Sequence, residues 1–245
     1  MPSPPSRFWH KPGAWVDLGL TLPIFVAYHL GVIFLHVRNA SDLVTAELLR
    51  IAEGDQTTYL EITCGIGFSF AIIFWLLGRG QPFAPKKFVQ IAFEGALYAV
   101  IMRVAASAAV GRIFAGKIEG GPFAGFVMAL GAGFYEELAY RVLLFGLGAK
   151  IWVGLFAQES MDLEGGSLVP HFSVRAFFIS TLWGIAASAI FSAVHYVGPL
   201  GDSFALHSFI FRALLGLSLT LIYLTRGFAA AVWTHTLYDV WVLVF

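Results

Sequence analysis

Seven uninterrupted apolar runs leave this chain few ways to fold. They cover about 15–36, 58–77, 88–111, 122–148, 175–197, 204–225 and 227–245. A helix of about 20 residues crosses the roughly 30 Å hydrocarbon core of a bilayer. Because unpaired backbone polar groups are costly in hydrocarbon, and the alternating pattern of a transmembrane barrel is absent, these runs predict helices. We therefore expect an all-α protein, a polytopic transmembrane bundle of about seven helices.

The composition agrees with a bilayer as the solvent. Of the 245 residues, 58% are hydrophobic and 12% are charged, against about 45–50% and about 25% in soluble domains. The 15 basic residues balance the 15 acidic ones, which gives no reason to expect a nucleic-acid partner. Cys64 is the only cysteine, so an internal disulfide and a cysteine metal cluster are excluded. Because the connections are short, we expect residues 1–245 to form a single membrane domain.

The distribution of lysine and arginine predicts the orientation, since cytoplasmic connections carry an excess of both. If the N-terminus is cytoplasmic, the inner set is Arg7, Lys11, Arg79, Lys86, Lys87, Lys150, Arg175 and Arg226, and the outer set is Arg38, Arg50, Arg112 and Lys117. This excess predicts a multi-pass protein of a bacterial inner (plasma) membrane, with a cytoplasmic N-terminus and an outward C-terminus.

Two other features have structural interpretations. The segment from Asp42 to Glu53 is either an amphipathic helix lying on the membrane surface or an ordinary loop helix. Gly121 and Gly125 form a small-xxx-small pair, which predicts close helix packing in lipid.

Several charged or titratable residues are weaker candidates for a functional role. Arg103, His207 and Arg212 could line a substrate groove or bind lipid headgroups, although snorkelling or interhelical hydrogen bonds are the more common explanation. Glu61 and Glu94 lie near predicted helix ends, where we expect them to be hydrated.

The fourth apolar run contains two adjacent carboxylates and an arginine. Each such residue near the bilayer centre costs about 2.5 to 3.5 kcal/mol, so it is a candidate for a functional site. Glu137 and Arg141 are four residues apart on a predicted helix and can form an ion pair. Glu136 is then left to face a cavity, where it could act as a general base.

Two histidines follow in later apolar runs. The fifth run ends in FSAVHY, which places Phe191 and His195 on one helix face, and the seventh contains WTHTLYD, which places His235 and Asp239 on another. A single histidine in such a place is more often a packing residue. Burying all these groups together needs mutual compensation, so we expect them to converge in one site.

These motifs resemble those of one protease family. EELAYR looks like the EExxxR motif of the CPBP family (CAAX proteases and bacteriocin-processing enzymes, or ABI family), which includes the prenyl-protein endopeptidase Rce. Phe191 to His195 is similar to its FxxxH motif, and His235 to Asp239 to its closing HxxxN/D motif, in the same order. Some members of this appearance are the proposed myxosortases, which process C-terminal sorting signals.

The resemblance implies an intramembrane endopeptidase without a cofactor, whose substrate is a membrane-associated protein or peptide. It covers about 120–245, the expected catalytic helices, while 1–119 carry little motif content. At the matching motif positions, the resemblance implies that Glu136 and His195 activate a water molecule and that His235 and Asp239 stabilise the oxyanion. Phe191, Glu137 and Arg141 have supporting roles.

The role of the last motif residue stays open. Many relatives carry Asn where this chain has Asp239, and an ionised carboxylate cannot donate a hydrogen bond to an oxyanion. Asp239 could instead orient His235.

Other readings of the same residues remain. Glu136, His195 and His235 could bind Zn²⁺ with one position left for water, although HExxH is absent. A transporter or channel could use buried acids as a proton relay, but the acids cluster and the chain shows no internal repeat. A non-catalytic chaperone or immunity partner would tolerate loss of the histidines.

Overall fold

The structure is a computed structural model that describes residues 14–39, 42–77, 85–111, 121–161, 173–198 and 201–245. Within these ranges the chain is helical and contains no strand. The helices are α1 (Ala14–Leu35), α2 (Leu43–Ile51), α3 (Gln56–Leu77), α4 (Lys86–Val110), α5 (Gly121–Ala157), α6 (Val174–Ala193), α7 (Leu206–Arg226) and α8 (Phe228–Val244). The prediction of an all-α bundle is confirmed.

Each of the seven predicted apolar runs corresponds to one of these helices. In the described part of the chain, α1, α4, α5, α6 and α7 are long and apolar enough to cross a membrane. Helix α8 is a shorter apolar helix of 17 residues, and some side chains of α3 lie outside the described residues. The fourth run was predicted too short, because α5 continues to Ala157 and contains 37 residues.

Helix α5 changes its winding along its length. It is α-helical over Gly121–Gly131, π-helical over Ala132–Leu147 and α-helical again over Gly148–Ala157. A π-helix has i→i+5 backbone hydrogen bonds and is therefore wider than an α-helix. All three residues of the EELAYR motif that carry charge lie in this wider segment.

Helix α8 lies in the centre of the bundle, where small side chains let other helices approach. Ala229, Ala230 and Ala231 are completely buried. A Cβ atom at Gly95 of α4 would lie 2.9 Å from Trp233 Cβ and 3.0 Å from the Trp233 backbone carbon. Glycine at this position therefore lets the backbones of α4 and α8 pack closely.

The small-xxx-small prediction is half confirmed. A Cβ atom at Gly125 would lie 2.5 Å from the backbone oxygen of Leu243, whereas one at Gly121 would meet nothing within 4 Å. Gly121 instead begins the helix with φ of 82°, a conformation that glycine adopts without strain.

A polar cluster holds the junction between α7 and α8. The Arg226 guanidinium pairs with both carboxylate oxygens of Glu94, and the Tyr98 hydroxyl donates to Glu94 over 2.8 Å. The Asp17 carboxylate accepts from the backbone N–H groups of Phe228 and Ala229, which caps the first turn of α8.

The expectation that Glu94 is hydrated is wrong. Glu94 is only 8% exposed, because the end of α7 places Arg226 against α4. Glu61 is exposed, as predicted.

The segment predicted as a possible surface helix forms α2. Asp42 caps it by accepting from Thr45 N–H over 2.8 Å. Leu48 and Leu49 pack against the core, while Leu43 on the other side is exposed.

A hydrogen-bonded network joins α1 and α3 to α5. The His29 ring lies between the hydroxyls of Tyr59 and Tyr135, 3.2 Å and 2.9 Å from its two nitrogens. Tyr135 directly precedes Glu136, so these N-terminal helices help to fix the start of the charged motif.

Candidate active site

The structure brings the predicted site residues together from three helices. Glu136, Glu137 and Arg141 lie on the π-helical part of α5. His195 lies in a single 3₁₀ turn, Val194–Tyr196, that follows α6. His235 and Asp239 lie on α8.

Glu137 is completely buried and contacts two partners at once. Its Oε2 lies 3.1 Å from Arg141 Nε, so the predicted ion pair is confirmed. Its Oε1 accepts a hydrogen bond from His235 Nδ1 over 2.7 Å. The second contact was not predicted, because it joins residues 98 positions apart.

The other nitrogen of the same imidazole faces two more carboxylates. His235 Nε2 lies 4.0 Å from Glu136 Oε2 and 3.5 Å from Asp239 Oδ2. With Nδ1 bound to Glu137, the ring is held so that Nε2 faces these two acids. Glu137, rather than Asp239, therefore makes the short hydrogen bond that orients His235.

The two adjacent glutamates of the π-helical segment reach the same ring. Glu136 Oε2 lies 4.0 Å from His235 Nε2, and Glu137 Oε1 accepts a hydrogen bond from His235 Nδ1. In a π-helix each residue turns the chain by less than the about 100° of an α-helix, so the angle between these two side chains is somewhat smaller than α-helical spacing predicts.

The Phe191 ring forms the apolar centre of the site. Its centroid lies 5.2 Å from that of His195 and 6.1 Å from that of His235. The Arg141 Cζ atom lies 4.4 Å from the same centroid, in a cation–π contact. Phe191 is 4% exposed, so it shields this side of the cluster.

His195 lies nearer to the surface than the other imidazole. Its Nδ1 donates to the backbone oxygen of Phe191 over 2.9 Å, which leaves Nε2 for another partner. The ring interacts electrostatically with Glu136 and with His235. Glu136 and His195 therefore lie within electrostatic range of each other.

Arg141 is buried, at 1% exposure, and links α5 to α7. Besides its ion pair with Glu137, its Nη2 donates to the Gly216 backbone oxygen over 3.4 Å. Arg141 therefore holds the Glu137 carboxylate and connects α5 to α7.

The weaker candidates lie around this cluster. The Arg103 guanidinium packs over the Trp241 ring at 4.6 Å. Arg212 packs over the Tyr196 ring at 5.2 Å. His207 is exposed near the start of α7.

The possible zinc ligands do not converge on one point. Among the residues that the structure describes, no three His, Cys, Asp or Glu side chains form a group that could hold a metal ion. In particular, Glu136, His195 and His235 do not form such a group.

The described helices thus bury two adjacent acids against His235, with His195 nearby. The family model described as type II CAAX prenyl endopeptidase, Rce1-like, matches residues 119–241. The chain belongs to this family, and the match contains every residue of the three motifs. The narrower myxosortase-like assignment has no support from it. No curated protein and no solved structure matches the chain.

Proposed function

We propose that this protein hydrolyses a peptide bond of a membrane-associated substrate, with Glu136 and His195 deprotonating the attacking water. The proposal rests above all on the position of Glu136. Its carboxylate meets His235 Nε2 and shares the cluster with His195, whereas Glu137 is fully committed to Arg141 and His235.

In this reaction Glu136 is the general base. It takes a proton from a water molecule while His195 Nε2, with Nδ1–H bound to Phe191, accepts a second hydrogen bond from that water. The oxygen attacks the scissile carbonyl carbon, and the carbonyl oxygen becomes an oxyanion. The proton held by Glu136 then passes to the leaving amine, as expected for a carboxylic acid that works first as base and then as acid.

His235 would stabilise the oxyanion. The Glu137 carboxylate binds Nδ1–H, so a protonated ring presents Nε2–H in a fixed direction. Arg141 keeps Glu137 in place from the other side. We assign Asp239 a secondary role, since its oxygen lies 3.5 Å from Nε2, a long distance for a hydrogen bond.

The test compares membrane fractions from cells that carry the wild type, Glu136→Gln or Glu61→Gln. Glutamine has nearly the same size as glutamate but cannot act as a base, and exposed Glu61 provides the matched control. We expect membrane proteins with new termini in wild-type and Glu61→Gln cells and none in Glu136→Gln cells. Intact processing by Glu136→Gln would contradict the proposal.

The substrate class can be narrowed with purified protein. The family description names prenylated CAAX substrates, so a prenylated CAAX peptide and its unprenylated twin are the first pair to compare. Equal cleavage of both would show that the site does not require the lipid.

A further inference from the structure

Arg212 lies beside the site but outside the three motifs. It is on α7, where its guanidinium is held in two ways. Its Nη2 pairs with the Asp202 carboxylate, and its Cζ atom lies 5.2 Å from the Tyr196 ring centroid. An arginine fixed by an ion pair and an aromatic face loses little further freedom when it binds a ligand.

Both of these contacts lead to His195. Tyr196 is its neighbour in the chain, and the Asp202 N–H donates to the His195 backbone oxygen over 2.8 Å. The Arg212 charge also acts electrostatically on the His195 ring. Arg212 is therefore fixed next to the histidine that would activate water.

One donor of this guanidinium is unused. Arg212 Nη1 is buried, and no residue in the described part of the chain accepts a hydrogen bond from it. Leaving a buried charged donor unsatisfied is costly, so an acceptor arriving with the substrate would remove that cost. The Asp202 carboxylate pairs with Nη2, so the N–H groups of Nη1 remain for a second anion.

We propose that Arg212 binds a carboxylate of the peptide substrate beside His195. This proposal rests on the proposed function and adds a requirement for a negative charge near the scissile bond. Arginine matches a carboxylate with paired N–H donors, and such charge-assisted hydrogen bonds are about twice as strong as neutral ones. The carboxylate could come from the peptide C-terminus or from an acidic side chain.

The experiment uses a pool of internally quenched peptides of mixed sequence, made with free C-terminal carboxylates and again as C-terminal amides. A second pair of pools omits Asp and Glu. We expect the wild type to prefer the carboxylate form, through KM, by about tenfold or more. In Arg212→Gln the ratio between the two forms should fall close to one, and Arg212→Lys should keep part of it.

The matched control is Arg50→Gln, because Arg50 is an exposed arginine on α2 that pairs only with Glu47. It should keep the wild-type ratio. If the preference follows the acidic residues of the peptides instead of the C-terminus, the carboxylate is a side chain. An Arg212→Gln variant that loses rate equally on both forms would overturn the proposal, because Arg212 would then only hold His195 in place.

Two further outcomes separate this proposal from others. If Arg212→Gln changed activity only in vesicles that contain phosphatidylglycerol, the ligand would be a lipid phosphate and the proposal would be wrong. If the wild type cleaved no peptide, the proposed function would fail. In that case, binding of the two pools to immobilised protein would still test Arg212. Wild type that retains the carboxylate pool better than the amide pool, with no such difference in Arg212→Gln, would support a carboxylate site, and equal retention by the two proteins would contradict it.

Discussion

Helix α8 touches two buried polar clusters that are built on different principles. At its start, each acid has its own donors: Asp17 accepts from backbone N–H groups, and Glu94 pairs with Arg226 and Tyr98. At its middle, the carboxylates Glu136, Glu137 and Asp239 surround one imidazole, and Arg141 forms an ion pair with Glu137.

This difference separates structural from chemical use of buried charge. A buried charge is tolerated when it is paired and hydrogen-bonded, and at the start of α8 each of the two acids has such partners. The middle cluster carries more acid than fixed positive charge. A general-base reaction needs a proton acceptor beside the attacking water, so we propose that the chemistry takes place at the middle cluster.

The largest expected effect is a loss of cleavage rate when the middle cluster is changed. Glu136→Gln should lower peptide cleavage by about 10²–10⁴, the usual contribution of a general base. Its thermal melting in detergent should stay close to that of the wild type, because the substitution keeps the shape of the side chain. A large loss of stability with little loss of rate would place Glu136 in the structural class instead.

The second prediction concerns the cluster at the start of α8, where we expect a loss of stability instead of a loss of rate. Glu94→Gln removes the charge that compensates buried Arg226, and breaking a buried pair costs about 3–5 kcal/mol. We expect a lower melting temperature and less folded protein, while the folded fraction keeps its turnover number. Glu61→Gln, at an exposed glutamate, is the control and should change neither. An unaffected melting temperature would show that the Glu94 pair is dispensable.

The sequence predicts the middle cluster better than the one at the start of α8. Charges in apolar runs are visible without a structure, and helical spacing gave the pair of Glu137 with Arg141. Spacing on one helix is local information. The bond of Glu137 to His235 and the pair of Glu94 with Arg226 join helices far apart in the chain, so no spacing could reveal them.

Local geometry also limited the prediction. Glu136 and Glu137 reach the His235 imidazole from a π-helical segment of α5, and the sequence pattern predicts only an α-helix there. The prediction that Glu94 is hydrated was wrong because it rested on the position of Glu94 in the first part of α4, and residues near helix ends are usually hydrated. The position of a residue along its own helix does not say which helix covers it.

A smaller effect tests which carboxylate orients His235. Asp239→Asn removes a charge that lies 3.5 Å from Nε2 and introduces an N–H that can donate to an oxyanion. Because Glu137 makes the short hydrogen bond to the ring, we expect the cleavage rate to change by about tenfold or less. Measuring kcat and KM for one quenched peptide checks this. A loss as large as that of Glu136→Gln would make Asp239 a principal acid of the site.

The smallest expected effect concerns a metal. The Nδ1 atom of His235 is bound to Glu137, and among the described residues no three suitable side chains form a metal-binding group. A water molecule activated by Glu136 and His195 needs no ion. We therefore expect prolonged dialysis against 1,10-phenanthroline to change the rate by less than about twofold, whereas a zinc protease treated in parallel should lose activity. If activity were lost and Zn²⁺ restored it, Glu136, His195 and His235 would have to rearrange into ligands when the ion binds. The middle cluster would then be a metal site, and its excess of carboxylates would serve to attract the ion instead of to accept a proton.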